Sequence, residues 1–423
     1  MFLHSTKPTI IIAGAGFGGL RAALDLNNAF KNNPSLSKNY NLYLINESNY
    51  HLYVPAIYEI ATTTYDDASA IKLKEAVVIP LEKIFASADL LKFHQAKITS
   101  IDAQTNKIIL NDHTSLKYSY LIMALGSETN FYDIPGLKEN SLILGGLNSA
   151  IKLRSAIEKK FCDVFNHQKQ LRIVIGGAGV TGVELSGELT GYIKKLNKKY
   201  SAKIRPEIVL VQGGATILPE FSKKIIGLVE QRLKKLGVKI VTDEMITEAS
   251  ASAVKTKSGR EFPYDVLVWS GGIKSNAVIE SLPFERDKKG RIVVQENFCP
   301  IFKNGNKICS DIFVIGDNCC YIHHQNLPQT AQMALDQGEH MAKLILAGIK
   351  NQPLPKYQPT HNSYIIPIGG KFAVADLGFA QLKGFYIWII KELVFLKYLA
   401  SIIAWPQALA HWLRAIRLFA KND

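Results

Sequence analysis

Cysteines are few in this chain, and a disulfide framework, a zinc-finger spacing and an export signal are all missing from it. The five cysteines among 423 residues form an odd set without framework spacing, which favours reduced thiols inside a cell. The apolar stretch Ile10–Ala13 is too short for the core of a signal peptide and leads directly into glycines, so we interpret it as a first strand. The cysteines are Cys162, Cys299, Cys309, Cys319 and Cys320.

Acidic residues are outnumbered by basic ones, 36 against 50, and the formal net charge is +14. Such a balance is typical of proteins that meet anionic ligands, an anionic membrane surface or nucleic acid. No aromatic-interleaved RNA motif accompanies it, so we predict no nucleic-acid partner. With 47% hydrophobic and 20% charged residues the chain is expected to fold, and its length predicts two or three domains.

A glycine-rich turn follows the first predicted strand, Thr9–Ala13, and precedes a helical run. In this turn Gly14 permits a tight bend, Gly16 lets the backbone approach a pyrophosphate, and Gly19 allows the helix to pack on the strand. The N-terminus of the helix then offers free N–H groups and a partial positive charge to phosphates. We interpret this turn as an FAD site, formed by Gly14, Gly16, Phe17, Gly18 and Gly19.

The FAD ribose requires a polar partner at the end of the second strand. That strand, Asn41–Glu47, ends in two polar residues, a neutral amide and then a carboxylate. Because strand ends are uncertain by a few residues, either Asn46 or Glu47 is a candidate.

A second turn of the same kind follows another apolar strand, Leu171–Ile175, and again opens a helix. Two such fingerprints in one chain are far more specific than one, and we interpret the second as a nicotinamide site. Its partner strand ends at Gln212, which neither repels the extra phosphate of NADPH as a carboxylate would nor attracts it as Arg would. We therefore expect NADH use with incomplete discrimination against NADPH. The turn residues are Gly177, Gly179, Val180, Thr181 and Gly182.

Three further segments place small or acidic residues directly after a buried strand: Tyr120–Ser127, Asp265–Gly272 and Ile312–Asp317. The first two are expected to close the chain over a dinucleotide, and Asp317 is a natural hydrogen-bond partner for the ribityl or pyrophosphate part of a flavin. The candidate contacts are Ala124, Gly126, Gly316 and Asp317 on the FAD side and Gly271 and Gly272 on the NAD side.

Together these segments resemble the type II NADH:quinone oxidoreductases, which are single-subunit, non-pumping respiratory dehydrogenases. The resemblance covers most of the chain and includes IIAGAGFGGLRAA, NYHLYVPAIYEIAT, IVIGGAGVTGVELSGEL, VLVQGGATILP, VWSGGIKSN, VIGDN and PQTAQMALDQGEHMA. It implies that FAD lies between NAD(P)H and a quinone, that Glu184 takes part in proton delivery, and that Ala331 and Gln332 line the quinone end. A homodimer is common in that family.

Two positions depart from the pattern of the family. Many members carry an acid where this chain has Gln212, and many carry a second Gln where it has Asp336, followed here by Gln337. The first departure leaves the nicotinamide preference open, and the second leaves the polarity of the quinone pocket open.

The last segment, Gly384–Asp423, is rich in aromatic and aliphatic residues interrupted by charges. Its longest uncharged stretch, Tyr398–Ala410, is too short to span a bilayer. We predict two amphipathic helices broken near Pro406 that lie on an anionic membrane; a buried hairpin or a dimer interface is the alternative. In the second helix the apolar residues Leu409, Trp412, Leu413, Ile416 and Phe419 alternate with Arg414, Arg417 and Lys421.

Four other functions compete with this interpretation. A sulfide:quinone oxidoreductase requires a pair of redox cysteines, and a disulfide reductase requires such a pair soon after Glu47, where the sequence has none. A ferredoxin-type reductase requires a polar docking face rather than an apolar tail, and a regulator that only binds NAD leaves the flavin features unexplained.

The sequence therefore predicts an α/β fold with two Rossmann-like dinucleotide-binding domains and C-terminal amphipathic helices. The expected bounds are 1–145 with 292–378 for the FAD domain, 146–291 for the NAD(P)H domain and 379–423 for the membrane-facing helices. We expect a peripheral enzyme on the cytoplasmic face of the cell membrane that uses FAD, NADH and a quinone and binds no metal.

Overall fold

The residues singled out above lie on two parallel sheets. In each sheet a glycine-rich turn follows the central strand. The computed structural model describes residues 7–66, 74–167, 169–303, 310–324, 327–360 and 363–422, so Cys309 and Asp423 lie outside the described residues. The chain divides into two compact units. The first comprises Met1–His51, Ile79–Glu128 and Ile273–His361; the second comprises Leu52–Val78, Thr129–Gly272 and Asn362–Asp423. The domain bounds inferred from the sequence stay a prediction.

The first unit is built on a five-stranded parallel sheet. The central strand, Thr9–Ala13, is apolar and buried from Ile10 onward, because helices cover both faces of such a sheet. Parallel pairing brings the carboxyl ends of all five strands to one edge, where the first glycine turn lies. In spatial order the strands are Ile312–Val314, Tyr120–Met123, Thr9–Ala13, Asn41–Asn46 and Leu91–Gln95.

Two helices of the first unit cross at close range. Phe17–Lys31 follows the first turn and packs against Ala331–Ile349. A Cβ on Gly18 would lie 2.9 Å from the carbonyl oxygen of Ala334, and one on Gly338 would overlap the backbone of Gly18. These glycines therefore fix the approach of the late helix to the first turn.

The second unit repeats this plan with another five-stranded parallel sheet. Its central strand Arg172–Gly176 pairs on one side with the strand that precedes the closing turn and on the other side with the partner strand that ends beside the glycine turn. The central strand of the first unit has two neighbours of the same kinds. The α/β fold with two Rossmann-like sheets is thus confirmed. In spatial order the strands are Leu142–Ile143, Val266–Trp269, Arg172–Gly176, Glu207–Val211 and Lys239–Val241.

The predicted pair of C-terminal helices is confirmed as Phe385–Ala400 and Trp405–Asn422. Pro406 lies in the first turn of the second helix rather than at the break, a position where its missing N–H costs nothing. Both helices pack within the second unit, and Trp412 donates a hydrogen bond from Nε1 to the carbonyl oxygen of Glu392 (2.8 Å).

The prediction that the apolar face of the second helix is exposed to a membrane is wrong. Phe419 is fully buried, Leu409, Trp412 and Ile416 are partly buried, and Leu413 is the exposed member of that set. The apolar stripe packs inward because it meets the first helix and the strands beside it, where Ile416 joins the cluster around Ile387 and Trp388.

Exposed apolar residues are found instead on the first of the two helices and in the segments that flank it. Among the described residues, no helix combines the length and the apolar character needed to cross a membrane. The exposed residues are Phe379, Leu382, Phe385, Tyr386, Ile390, Leu393, Val394 and Trp405, which we call the apolar surface.

The remaining elements connect and cover the two sheets. In the first unit they are the helices Pro34–Asn39, Leu81–Phe85, Ala277–Glu280 and Gly316–Asn318 and the strands Ile98–Asp102, Lys107–Leu110, Ser115–Lys117, Ile273–Ser275, Ile292–Val294 and Cys319–Tyr321. In the second they are the helices Val54–Ala56, Ile57–Ala61, Lys74–Val77, Leu137–Asn140, Leu147–Asn166, Val180–Lys199 and Lys223–Leu236 and the strands Ile246–Ala249, Ala253–Thr256, Glu261–Pro263, Tyr364–Pro367, Ala373–Asp376 and Gln381–Gly384. Three short strands lie where the chain passes from one unit to the other: Tyr50–Leu52, Val78–Pro80 and Ser127–Thr129.

Candidate dinucleotide sites and a buried charged cluster

The first glycine turn has the shape of a dinucleotide cradle. Gly14 adopts a φ of +105°, and a Cβ there would overlap the carbonyl oxygen of Ala124. Gly16 caps the helix, and a Cβ on it would meet no protein atom within 4 Å. The space beside Gly16 is therefore open at the positive end of a helix, where a pyrophosphate fits. Gly19 has no room for a side chain because the carbonyl oxygen of Gly14 fills that position.

Asn46, and not Glu47, occupies the position at the end of the second strand that contacts this turn. The register pairs Ala13 with Ile45, and the next residue, Asn46, accepts a hydrogen bond on Oδ1 from the N–H of Ala15 (2.9 Å). Glu47 is exposed on the surface. The geometry favours Asn46 among the two candidates, and its contact with ribose stays a prediction.

The second turn reproduces the first. Gly177 adopts a φ of +99°, a Cβ on Gly179 would meet no protein atom within 4 Å, and Gly182 packs on the carbonyl oxygen of Gly177. The N–H of Ala178 donates to Oε1 of Gln212 (3.0 Å), which is the counterpart of the contact between Ala15 and Asn46.

That contact fixes the orientation of the Gln212 amide. Because Oε1 accepts from the backbone, the NH₂ group is the end that points away from it, toward the glycines that follow the strand. A donor at this position suits a ribose hydroxyl or a phosphate oxygen, whereas a carboxylate would repel the phosphate.

Two turns at the same edge of the first sheet are tied together beside the first glycine turn. Ser127 donates a hydrogen bond from Oγ to Oδ2 of Asp317 (2.6 Å), and Asn318 donates from Nδ2 to the carbonyl oxygen of Gly126 (2.8 Å). Burial raises the pKa of the Asp317 carboxyl, and the hydrogen bond from Ser127 lowers it. Asp317 thus lies in a fixed position at the edge where the predicted FAD contacts converge.

Gly316, which precedes Asp317, is fixed by a hydrogen bond to the late helix. It adopts a φ of +72°, and its N–H donates to Oε1 of the buried Gln337 (2.7 Å). The role of Gln337 is therefore to support this turn, which sequence reasoning did not find.

His51 is another residue of this region that sequence reasoning missed. Its Nδ1–H donates to the carbonyl oxygen of Ala15 (2.9 Å), and its ring lies edge-on to Phe17 at 4.9 Å. Burial lowers the pKa of the imidazole to about 4, so the ring is neutral at physiological pH. His51 therefore supports the first turn through this hydrogen bond. The motif NYHLYVP was the only feature of the sequence that pointed to it.

The closing turn of the second unit is shaped by a tryptophan. Trp269 donates from Nε1 to the carbonyl oxygen of Asn130 (2.7 Å), and its ring fills the space next to Gly176 and Gly271. Gly272 lies against the hydroxyl of Tyr132 in the same way. Both predicted glycines of this turn are needed because aromatic rings occupy the positions of their side chains.

A buried charged cluster surrounds Lys391 in the second unit. Its Nζ donates to the hydroxyl of Tyr58 (2.9 Å) and lies 2.9 Å from Oε1 of Glu392 and 3.8 Å from Oε1 of Glu59. Both glutamates are 1% exposed. Burial raises the pKa of the Glu184 carboxyl to about 8, while Lys391 acts to lower it and Glu59 to raise it.

Two charged residues of this cluster belong to the first C-terminal helix, Phe385–Ala400. The sequence pattern gave Lys391 and Glu392 as charges that interrupt an apolar run. In the structure Glu392 is buried, Lys391 lies 2.9 Å from its carboxylate, and Lys391 also interacts electrostatically with Glu184 on another helix. No periodicity in the sequence predicted this partner.

The residues that the resemblance assigns to the quinone end lie on the late helix of the first unit. Gln332 is exposed in its first turn and Ala331 is partly exposed. Asp336 accepts a hydrogen bond from the hydroxyl of Tyr357 (2.7 Å), so its carboxylate is engaged with a neighbour in the same unit. The contacts of Ala331 and Gln332 with a quinone stay a prediction.

No disulfide joins the cysteines that the structure describes. Cys299, Cys319 and Cys320 are buried, and Cys162 is partly buried. Burial raises the pKa of the thiols of Cys319 and Cys320, which disfavours the reactive thiolate. The three buried thiols, those of Cys299, Cys319 and Cys320, serve as packing residues.

Two glycine turns of one design, each on its own parallel sheet, define an oxidoreductase that uses two dinucleotides. Residues 8–338 match the model of the family described as pyridine nucleotide-disulphide oxidoreductase, and the chain belongs to this family.

Similar curated proteins narrow the resemblance within that family. The chain is 29% identical over 403 residues to the type II NADH:quinone oxidoreductase of Staphylococcus haemolyticus, covering 92% of this chain and 94% of the relative. It is 28% identical over 376 residues to the enzyme of the same name from Staphylococcus aureus strain NCTC 8325, covering 86% and 88%. The resemblance found in the sequence is confirmed.

Solved structures share the fold. The structure of NDH2 from Plasmodium falciparum in complex with NADH aligns with a TM-score of 0.80 at 18% identity, covering 97% of this chain and 98% of that one. The sulfide:quinone oxidoreductase from Aquifex aeolicus aligns with a TM-score of 0.73 at 18% identity, covering 93% and 91%. At this identity the likeness concerns architecture.

Proposed function

We propose that this chain binds FAD at the turn of the first unit and NADH at the turn of the second, and that it catalyses the two-electron reduction of a quinone by NADH. The observation that carries the proposal is the pair of equivalent turns, each with open space beside its second glycine. Relatives named type II NADH:quinone oxidoreductase, aligned over more than nine-tenths of the chain, support it.

The residues of the first unit fit FAD. The helix that begins after Gly16 offers its N–H groups to the pyrophosphate, Asn46 faces the ribose, and the fixed carboxyl of Asp317 faces the ribityl region. When bound, the isoalloxazine supplies hydride acceptance and two-electron transfer. The protein positions it and excludes water.

The second unit is proposed to hold NADH in the same manner, with Gln212 beside the adenosine ribose. Its NH₂ group donates to a ribose hydroxyl and tolerates the phosphate of NADPH. NADH is therefore the proposed substrate, and NADPH is a second one that the site does not reject.

Glu184 is proposed as a proton donor for the reaction. Its raised pKa keeps the carboxyl largely protonated near neutral pH, as a general acid requires. Ala331 and Gln332 are proposed to line the quinone end. A homodimer is the proposed assembly, to be checked by light scattering of the purified protein.

The protein is proposed to lie on an anionic membrane at its cytoplasmic face, where NADH is available. The apolar surface supports this because Phe385 and Leu393 expose about half of their side chains and Tyr386 exposes 79%. The exposed Lys383 and Lys397 lie beside it and favour anionic headgroups.

Steady-state assays test this function. With FAD-loaded protein on anionic vesicles, NADH oxidation should depend on added quinone. Sulfide in place of NADH should leave the quinone oxidised; reduction of quinone by sulfide, with none by NADH, would favour the sulfide:quinone alternative. Transfer to a ferredoxin in preference to quinone would favour the ferredoxin-type alternative.

A further inference from the structure

A loop of the second unit, residues 242–245, runs alongside Gln212 and the glycines that follow it. The N–H of Glu244 donates a hydrogen bond to the carbonyl oxygen of Gln212 (3.0 Å). The N–H of Asp243 donates in the same way to the carbonyl oxygen of Gly214 (3.0 Å). Glu244 is therefore a direct backbone neighbour of the residue that is proposed to lie beside the adenosine ribose.

The side chain of Glu244 is a carboxylate that a hairpin encloses. Glu244 is 7% exposed, and its Oε2 accepts a hydrogen bond from Oγ of Ser258 (2.7 Å). Nη1 of Arg260 donates to Oε1 (3.2 Å). Hydrogen bonds from the hydroxyls of Thr256 and Ser258 lower the pKa of the Glu244 carboxyl, so it is ionised at neutral pH. A negative charge thus lies close to the end of the partner strand.

The positive member of this ion pair comes from the hairpin turn 257–260. The guanidinium of Arg260 lies 4.9 Å from the centre of the Phe262 ring, and the side chain is 52% exposed. The N–H of Lys257 donates to the carbonyl oxygen of Met245 (2.8 Å), which fixes the turn on the loop 242–245. One member of the pair is therefore buried, and the other is accessible to a ligand.

We propose that Glu244 and Arg260 together set the choice between NADH and NADPH, because the guanidinium neutralises the carboxylate beside Gln212 and so lets the site accept the extra phosphate of NADPH. The carboxylate alone would repel this phosphate, whereas a guanidinium alone would attract it. The exposed Asp243 and Lys257 carry opposite charges in the same loop and turn, and solvent screens both. The inference rests on the proposed function and names a specificity determinant of its nicotinamide site.

Equilibrium binding of NAD⁺ and NADP⁺ to the full chain loaded with FAD tests the pair. These oxidised forms differ by the same phosphate and cannot reduce the flavin, and the quantity measured is the Kd for NADP⁺ divided by the Kd for NAD⁺. Arg260→Ala should raise this ratio about threefold or more, because the carboxylate loses its counter-charge. Glu244→Gln should lower it about threefold or more, because the guanidinium loses its partner.

Two further measurements separate charge from structure. The double variant of Glu244→Gln with Arg260→Ala should return toward the wild-type ratio, because neither charge remains. Arg260→Lys keeps the positive charge and should also stay close to wild type. The shifts in the single variants should shrink as the salt concentration rises, because salt screens exposed charges; a purely structural effect would not depend on salt in this way.

Another ion pair of the second unit supplies the matched control. Glu207 begins the strand that leads to Gln212, and its Oε1 lies 3.9 Å from Nζ of Lys239. Glu207→Gln and Lys239→Ala make comparable changes of charge at the opposite end of the sheet. Both variants should leave the ratio of the two Kd values unchanged.

The outcomes separate this inference from the proposed function. Ratios that stay unchanged in Arg260→Ala and Glu244→Gln, that move in the same direction, or that move equally in the control variants would overturn the inference. If Glu244→Gln does not fold, Arg260→Ala and Arg260→Lys still decide it. Binding of neither nucleotide to the wild-type protein would overturn both proposals, whereas absence of quinone reduction alone would overturn the proposed function and leave the binding ratios to decide the inference.

Discussion

At the scale of single residues, the two dinucleotide turns share the arrangement of their glycines and differ in the side chain at the end of the partner strand. Asn46 and Gln212 lie at equivalent ends of partner strands, and each accepts a backbone N–H from the residue between the first two glycines of its turn. Asn46 also donates from Nδ2 to the carbonyl oxygen of Ser48 (2.8 Å). The longer Gln212 extends its NH₂ toward the glycines beyond the strand, where the adenosine ribose is expected.

Replacing Gln212 with Glu should sharpen the preference for NADH. A carboxylate still accepts the N–H of Ala178 but repels the phosphate of NADPH, so the ratio of kcat/KM for NADH to that for NADPH should rise about tenfold. Steady-state kinetics with both cofactors measure this ratio. Asn46→Asp makes the matching change at the first turn and should leave the ratio unaltered in flavin-loaded protein; an equal effect of both variants would contradict the assignment.

Glu184 should make the stability of the protein depend on pH in a defined direction. Burial raises the pKa of its carboxyl from 4.5 to about 8, so its contribution favours the folded state at low pH and is lost as pH rises through this window. Glu184→Gln lacks this loss. The Tm of the variant relative to wild type should therefore increase by about 3 °C or more between about pH 5 and about pH 9.

A carboxyl on the surface supplies the control for that measurement. Glu261→Gln changes an exposed residue of the same unit and should give a Tm curve parallel to that of wild type. Parallel curves for Glu184→Gln as well would mean that its carboxyl is ionised normally.

At the scale of elements, a turn between a strand and a helix serves as the binding device in both units. The backbone of each turn is closed on itself, because the carbonyl oxygen of the first glycine lies against the last. The middle glycine faces open space in both units. A side chain at the middle position therefore interferes with a ligand rather than with the protein.

Paired variants of the middle glycines should separate the two cofactors. Gly16→Val should reduce the flavin content of purified protein by about tenfold or more, whereas Gly179→Val should retain flavin and weaken NADH binding. Neither should abolish folding, because no protein atom lies within 4 Å of the new Cβ. Flavin absorbance and an NADH titration measure the two effects; loss of flavin from Gly179→Val with retention in Gly16→Val would reverse the assignment of the turns.

The apolar surface should control attachment to membranes. Replacing Phe385, Tyr386 and Leu393 with Ser removes exposed apolar area from the first C-terminal helix and should lower the fraction that sediments with anionic vesicles at least about fivefold. The matched control is Phe165→Ser with Met245→Ser, which changes exposed apolar residues elsewhere in the second unit. Equal loss in both proteins, or none in either, would contradict the proposed surface.

Elements with local signals were predictable from the sequence, and those that depend on distant partners were not. The strand, glycine turn and helix follow each other within about 30 residues, so the sequence alone predicts them. The choice between Asn46 and Glu47 required the register of Ala13 with Ile45. Lys391 required its partners on helices far away in the sequence, because a charge that points inward has the same local pattern as one that points outward.

At the scale of the whole molecule, one chain contains two parallel sheets of five strands, and the central strand of each leads into the same kind of glycine turn. This repetition supplies two dinucleotide sites, one per unit, while the charged cluster and the apolar surface belong to the second unit alone. The net charge of +14 is consistent with anionic ligands such as dinucleotides. Two dinucleotide sites on one chain suit electron transfer from NADH through a flavin to a small acceptor.

Both turns are expected to hold a cofactor, and electrons are expected to pass from these cofactors to a quinone. An anaerobic titration of the purified, flavin-loaded protein tests this most directly. About one NADH per FAD should bleach the flavin absorbance, and about one equivalent of a soluble quinone should restore it. A flavin spectrum that NADH leaves unchanged, or a bleached spectrum that quinone does not restore, would contradict the account.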